Sequence, residues 1–111
     1  MRIKISKDFS STPGPRFIRE GDFSAELFRK ELLLPAITKA IKDNVVLTVD
    51  VDGTAGYGKS FFEESFGGLI RDEGLAYDGI IKHLEVISEE ESIHKEKIYY
   101  HLKNAHDAGQ K

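Results

Sequence analysis

The sequence predicts a small α/β domain: a mixed sheet with parallel central strands and helices packed against it, in the order β(β)αβαβα. Three observations carry that expectation. Val45 to Val51 is an apolar, β-branched run that reads as a strand covered on both faces. A loop containing Gly53, Gly56 and Gly58 follows, and Phe61, Phe62, Phe66, Leu69 and Ile70 then recur at helical spacing. The amphipathic stretch before this unit, from Ser24 to about Asn44, is long enough to cross over between parallel strands.

The 111 residues, 40% of them hydrophobic, suffice for one modest core, so the chain 1–111 is expected to form a single domain. Charged residues make up 32% and the net charge is -3, with no lysine or arginine block of the kind a nucleic-acid surface needs. The longest apolar run, Leu32 to Ile37, is short and contains Pro35, so no membrane span is expected. The start Met1-Arg2-Ile3-Lys4 lacks the apolar core of a signal peptide. Cysteine is absent, which removes disulfides, thiolate metal sites and a cysteine nucleophile from consideration. A cytoplasmic protein is the expectation.

In chain order, Arg2 to Ser6 alternates polar and apolar residues, the mark of a strand with one solvated face. Ser10 to Pro15 is turn-forming, and Arg16 to Arg19 is a candidate second edge strand. Ser24 is placed to cap a helix running to about Asn44, with Phe23 and Phe28 as a hydrophobic staple across it. Pro35 falls inside that helix and should kink or split it. Ser60 is a candidate cap for the central helix, with Glu63 completing a capping box, and Asp72-Glu73-Gly74 ends it. Ala76 to Gly79 reads as loop and Ile80 to Ile87 as a strand, best from His83 onward. A last helix is expected to start at Ser88, with Glu91 in a second capping box and Ile98, Leu102 and Ala105 as its seam. His106 to Lys111 is expected to fray.

The chemistry concentrates in the central loop. Gly53-Thr54-Ala55-Gly56-Tyr57-Gly58-Lys59-Ser60 matches the phosphate-loop pattern, after a strand and before a helix. Such a loop would wrap phosphates with backbone amides, with Gly53 and Gly58 in the turn, Lys59 on the terminal phosphates and Ser60 on magnesium. Against this, only 51 residues follow Ser60, no later strand ends in an aspartate to hold magnesium, and Phe61 and Phe62 crowd the first helical turn. Ser60 is also a hydroxyl at a helix start, open to a kinase, and a phosphate there would meet Glu63 and Glu64. Asp50 and Asp52 share one strand face and, with Glu63 and Glu64, have the oxygen donors of a divalent-cation site. The preferred reading is that they solvate the sheet edge, so no metal is expected. The four histidines, His83, His94, His101 and His106, lack ligand spacing. Tyr57 among glycines either folds over the sheet edge or meets a partner.

These residues resemble the STAS-like domain family of unknown function, relatives of bacterial anti-sigma factor antagonists. The resemblance covers residues 14 to about 90. It rests on Arg16-Phe17, Gly21-Asp22-Phe23-Ser24, Glu26, Phe28-Arg29 and Leu34-Pro35-Ala36-Ile37. Most specific are Asp50-Val51-Asp52-Gly53-Thr54, Gly56-Tyr57-Gly58, Ser60-Phe61 and Phe66-Gly67-Gly68-Leu69-Ile70-Arg71. It implies a small STAS-like fold and a non-enzymatic regulatory module whose partner is a histidine-kinase-like ATPase. It also makes Ser60 the candidate phosphoacceptor, although Gly58 and Phe61 stand where the wider family carries Asp and Gly. Tyr57, Lys59, Glu63, Glu64 and Arg71 are the expected partner-binding residues. No catalytic residue, cofactor, nucleic acid or membrane is expected, and a nucleotide- or phosphate-binding role for Gly53 to Ser60 is the alternative.

Overall fold

The computed structural model describes residues 1–109. Three strands, β1 (Arg2–Lys4), β2 (Leu47–Asp50) and β3 (Leu84–Ile87), form one sheet in the order β1-β2-β3, both pairs parallel. Two crossovers progress in the same direction along this sheet, so right-handed connections set the helices on one side. Burial agrees: Ile3, Leu47, Val49, Leu84 and Val86 face a single core shared with helical Phe28, Leu33, Ile37, Phe61, Phe66, Leu69, Ile98 and Leu102. The alternate positions Arg2, Thr48 and Glu85 form a solvated row on the other side. The expectation of a strand covered on both faces is therefore corrected. Val45 and Val46 are exposed residues before β2, and within the strand Leu47 and Val49 enter the core while Thr48 is only half-buried and Asp50 is buried under Arg2 and Lys4.

The sheet is parallel throughout. The candidate edge strand at Arg16 to Arg19 does not form, because Ile18–Glu20 closes a 3₁₀ turn in which the Glu20 carboxylate accepts from the Phe17 amide at 3.0 Å. β1 is shorter than expected. Ile5–Phe9 turns back as a single π turn, closed by the Ser10 amide on the Ile5 carbonyl at 2.8 Å.

Helix α1 covers 25–43, entered as expected through Ser24, whose Oγ accepts from the Leu27 amide at 3.0 Å. The staple at its start runs through a third ring, since Phe9 packs on both Phe23 and Phe28, with centroids 5.5 and 5.2 Å apart. The disturbance expected from Pro35 lies just before it, as the π turn Arg29–Leu33. Widening the hydrogen bonds by one residue accommodates a proline that lacks a donor, so the helix continues instead of breaking. Asn44, with φ 54°, ends α1 in the left-handed conformation.

Helix α2 covers 61–71 and contains a third π turn, Glu63–Gly67. Gly74 at φ +75° closes its end, with the Asp72 and Glu73 amides both on the Gly68 carbonyl. Ala76 to Gly79 and the start of the expected strand differ from expectation. Tyr77–His83 is helix α3, and β3 begins only at Leu84. A short apolar run such as Ile80-Ile81 fits either structure, and Ile80 here points into the core. The last helix, α4, spans Ile93–Ala108, not from Ser88. Ser88 instead donates its hydroxyl to the Glu91 carbonyl in the preceding loop, so the second capping box is absent. The fraying expected from His106 is overtaken by helix to Ala108, while Gln110 and Lys111 lie outside the described residues. No helix among the described residues is long and apolar enough to cross a membrane.

Candidate functional site

The candidate site begins at the carboxyl end of β2, the place where open α/β sheets usually build their crevices. Asp50 is buried there. Its carboxylate accepts from the Asp52 amide at 2.9 Å, Arg2 at 3.0 Å and Lys4 at 3.2 Å. Burial alone would raise that carboxyl, but these donors outweigh it and hold it below its ordinary value. Asp52 accepts from the Glu89 and Glu90 amides at 2.9 and 3.1 Å, and Glu90 returns a carboxylate to the Gly53 amide at 2.8 Å. Two aspartates two residues apart thus hold the loop base, Asp50 to β1 and Asp52 to the segment after β3.

Tyr57 folds over the sheet edge. It donates to the Val51 carbonyl at 2.7 Å and packs against Phe62, His94 and Phe61 at ring distances of 4.5, 5.1 and 5.3 Å. Burial pushes its phenol well above the ordinary value, which keeps it a donor. Between these anchors the tip is bare. Gly56, Gly58 and Lys59 are exposed, and side chains built at Gly56 and Gly58 would meet nothing within 4 Å.

The loop does not converge on an anion. The Asp52, Gly53, Ala55 and Gly56 amides already donate to Asp50, Glu90, the Ser11 carbonyl and Thr54. The hollow beside it is lined by Glu90 and Glu91 as well as Thr54, Gly56 and His94, a poor setting for phosphate.

Ser60 stands immediately before α2, its carbonyl accepting from the Glu64 amide at 2.9 Å. Its hydroxyl makes no hydrogen bond among the described residues, so the expected capping box is not formed. The reason lies with Glu63, whose carboxylate is drawn away to Arg71 and, at 3.0 Å, to Arg16. Glu64 also departs from expectation. Placed by sequence at the docking surface, it is buried against Arg29, which reaches its carboxylate and its carbonyl, each at 2.6 Å. The π turn allows this, because the Gly68 amide bonds to the Glu63 carbonyl and leaves that of Glu64 open to Arg29. Arg29 reaches Glu73 at 2.9 Å, and Arg71 reaches the other Glu64 oxygen at 3.3 Å. The acids once grouped as a cation site therefore belong to two separate networks. Among the described residues no group of three His, Cys, Asp or Glu is placed to hold a metal ion.

The sequence marked Arg16 and Arg29 only as residues of the resemblance and Glu73 only as part of a helix stop, without the ion pairs they make with Glu63, Glu64 and with each other. Arg29 carried a signal, since it occupies the same helical stripe as the buried Leu33, Ile37 and Ala40. Gly67-Gly68 carried another. A Cβ on Gly68 would overlap the Arg29 guanidinium, with Cδ and Cζ each 3.0 Å away, and one on Gly67 would come within 3.0 Å of the Glu63 carboxylate, which explains two glycines inside a helix.

No curated protein and no solved structure matches the chain. Residues 24–94, from the cap of α1 through the loop and α2 into the start of α4, match the family described as a STAS-like domain of unknown function (DUF4325). The chain belongs to that family of STAS-like domains.

Proposed function

We propose that the protein is a non-enzymatic regulatory interaction module of the anti-sigma-antagonist type, docking a histidine-kinase-like ATPase and switched by phosphorylation of Ser60. One observation carries this reading: an exposed glycine and lysine tip, Gly56 to Lys59, stands on a fixed base and leads straight into Ser60 and α2. The exposed positions Gly56, Gly58 and Lys59 are free to serve a partner, and a base held by Asp50, Asp52, Glu90 and Tyr57 lowers the ordering cost of binding. The unbonded Ser60 hydroxyl is available to a kinase, and a phosphate there adds negative charge beside the acidic first turn of α2. Lys59, Glu63 and Arg71 supply the outward charges of the docking face. Tyr57 and Glu64 support it from within.

The titratable groups that are buried, Asp50, Arg29 and Glu64, are each consumed by structural partners, which is the support for a non-enzymatic role. The experiment is a pull-down with the histidine-kinase-like ATPase encoded nearest to this gene, with and without nucleotide. Recovery of the ATPase supports the proposal. Failure to recover it under both conditions would remove it.

A further inference from the structure

The sheet's second face offers an interface that the loop and α2 do not use. All-parallel sheets are ordinarily covered on both faces, yet here the core lies on one side only. The register sets Arg2, Thr48 and Glu85 in one row across the bare face, and Lys4, Asp50 and Ile87 in the next. Arg2 and Glu85 are exposed at opposite edges, while Asp50 is shielded beneath Arg2 and Lys4 at 3.0 and 3.2 Å. One edge strand is thus basic and the other acidic, on either side of a neutral Thr48.

We propose that this face is a weak homodimer interface, in which Arg2 of each copy faces Glu85 of the other about a two-fold axis running along β2. Such an axis reverses left and right across the sheet but preserves height along the strands. It therefore brings β1 over β3 within the same row, Thr48 over Thr48, and Lys4 over Ile87. The alternative two-fold, across the strands, stacks β1 on β1 and sets Arg2 and Lys4 against their own kind, which electrostatics disfavours. Facing sheets pack about 10 Å apart, a gap that arginine and glutamate side chains span together. The interface is isologous and closed, so it makes dimers and not fibres.

Its size limits its strength. Three strands of three or four residues present roughly 14 Å by 13 Å, far less than the ~800 Å² per partner of a stable complex. The dimer should exchange rapidly, and salt should weaken it, because exposed charges hold it together. The inference is independent of the partner proposed above.

Sedimentation velocity on the full chain, over a concentration series reaching the millimolar range at low salt, tests it. The parent is expected to dimerise with concentration and to lose the dimer as salt rises. Arg2→Glu and Glu85→Lys should each weaken association by roughly tenfold or more. An equimolar mixture of the two should restore it, because each reversed edge then meets its complement on the other copy. Thr48→Arg, at the centre, should remain monomeric in every mixture. Circular dichroism checks that each variant is folded, and if Arg2→Glu unfolds beside Asp50, Glu85→Lys decides alone. A monomeric parent throughout the series overturns the proposal, as does a folded Glu85→Lys that dimerises like the parent, or a mixture of folded variants that restores nothing.

Discussion

Two stretches of the molecule only a few residues apart obey opposite rules. Around the anchored Tyr57, the positions Gly56, Gly58 and Lys59 are exposed and side chains built on the two glycines would meet nothing, whereas from Phe61 to Leu69 nearly every residue is buried, charged Glu64 included. Helix α2 is fixed from across the core by Arg29, and the tip is fixed only from beneath. The contrast teaches where substitutions should register. In α2 they should cost stability, and at the tip they should cost binding.

The largest expected effect is in the buried pair. Glu64→Ala leaves the Arg29 charge buried with Glu73 at 2.9 Å and Asp72 at 3.7 Å as its remaining partners, and should lose about 3 kcal/mol or more in urea unfolding. A loss below about 1 kcal/mol would mean that water reaches Arg29, and that α2 is not the rigid region described. Gly68→Ala comes next. Its methyl group overlaps the Arg29 guanidinium, so about 2 kcal/mol should be lost by overpacking. In an Arg29→Met background the same change should cost much less, and additive costs would break the link between the two residues.

The division between legible and hidden follows from range. Caps and stops that depend on neighbouring residues were readable: Ser24 caps α1, and Gly74 supplies the left-handed turn after α2. Pro35 announced a disturbance in α1, but not that a π turn would absorb it. The Ser60–Glu63 box satisfied the local pattern and still failed, because Arg16, distant in sequence, and Arg71, further along the same helix, bind Glu63 first. Glu64 looked like surface for the same reason: its partner, Arg29, is 35 residues upstream. The loop's motif spelled phosphate, yet its Gly53 amide is taken by Glu90 from after β3 and its Ala55 amide by the Ser11 carbonyl, both distant in sequence.

Smaller effects sharpen the contrast at the tip. Gly56 sits at φ +136°, so Gly56→Ala should cost about 1 kcal/mol through backbone strain alone. Gly58→Ala has neither strain nor a neighbour and should leave the melting temperature unchanged. If both are neutral, the backbone of the tip is not held as described. The loop base should respond to acid. The Asp50 carboxyl is depressed in the folded state below its free value of 3.8. Its contribution is therefore complete above that value and is lost as pH falls through the lower folded one. Unfolding of the parent and of Asp50→Asn, followed from neutral pH to below about pH 4, should show the acid loss shallower in the variant. Parallel curves would remove Asp50 as the anchor.

The central claim is that the Ser60 end of α2 is a switched docking surface, and titration calorimetry of the ATPase with three chains addresses it. As a mere cap, Ser60 would be replaced well by aspartate and less well by alanine, a difference of about 1 kcal/mol in stability. As a switch it predicts the reverse order in binding. The parent and Ser60→Ala should bind alike, and Ser60→Asp, folded by circular dichroism, should bind at least about tenfold more weakly. Equal binding by all three chains, or stronger binding by Ser60→Asp than by Ser60→Ala, would contradict the account.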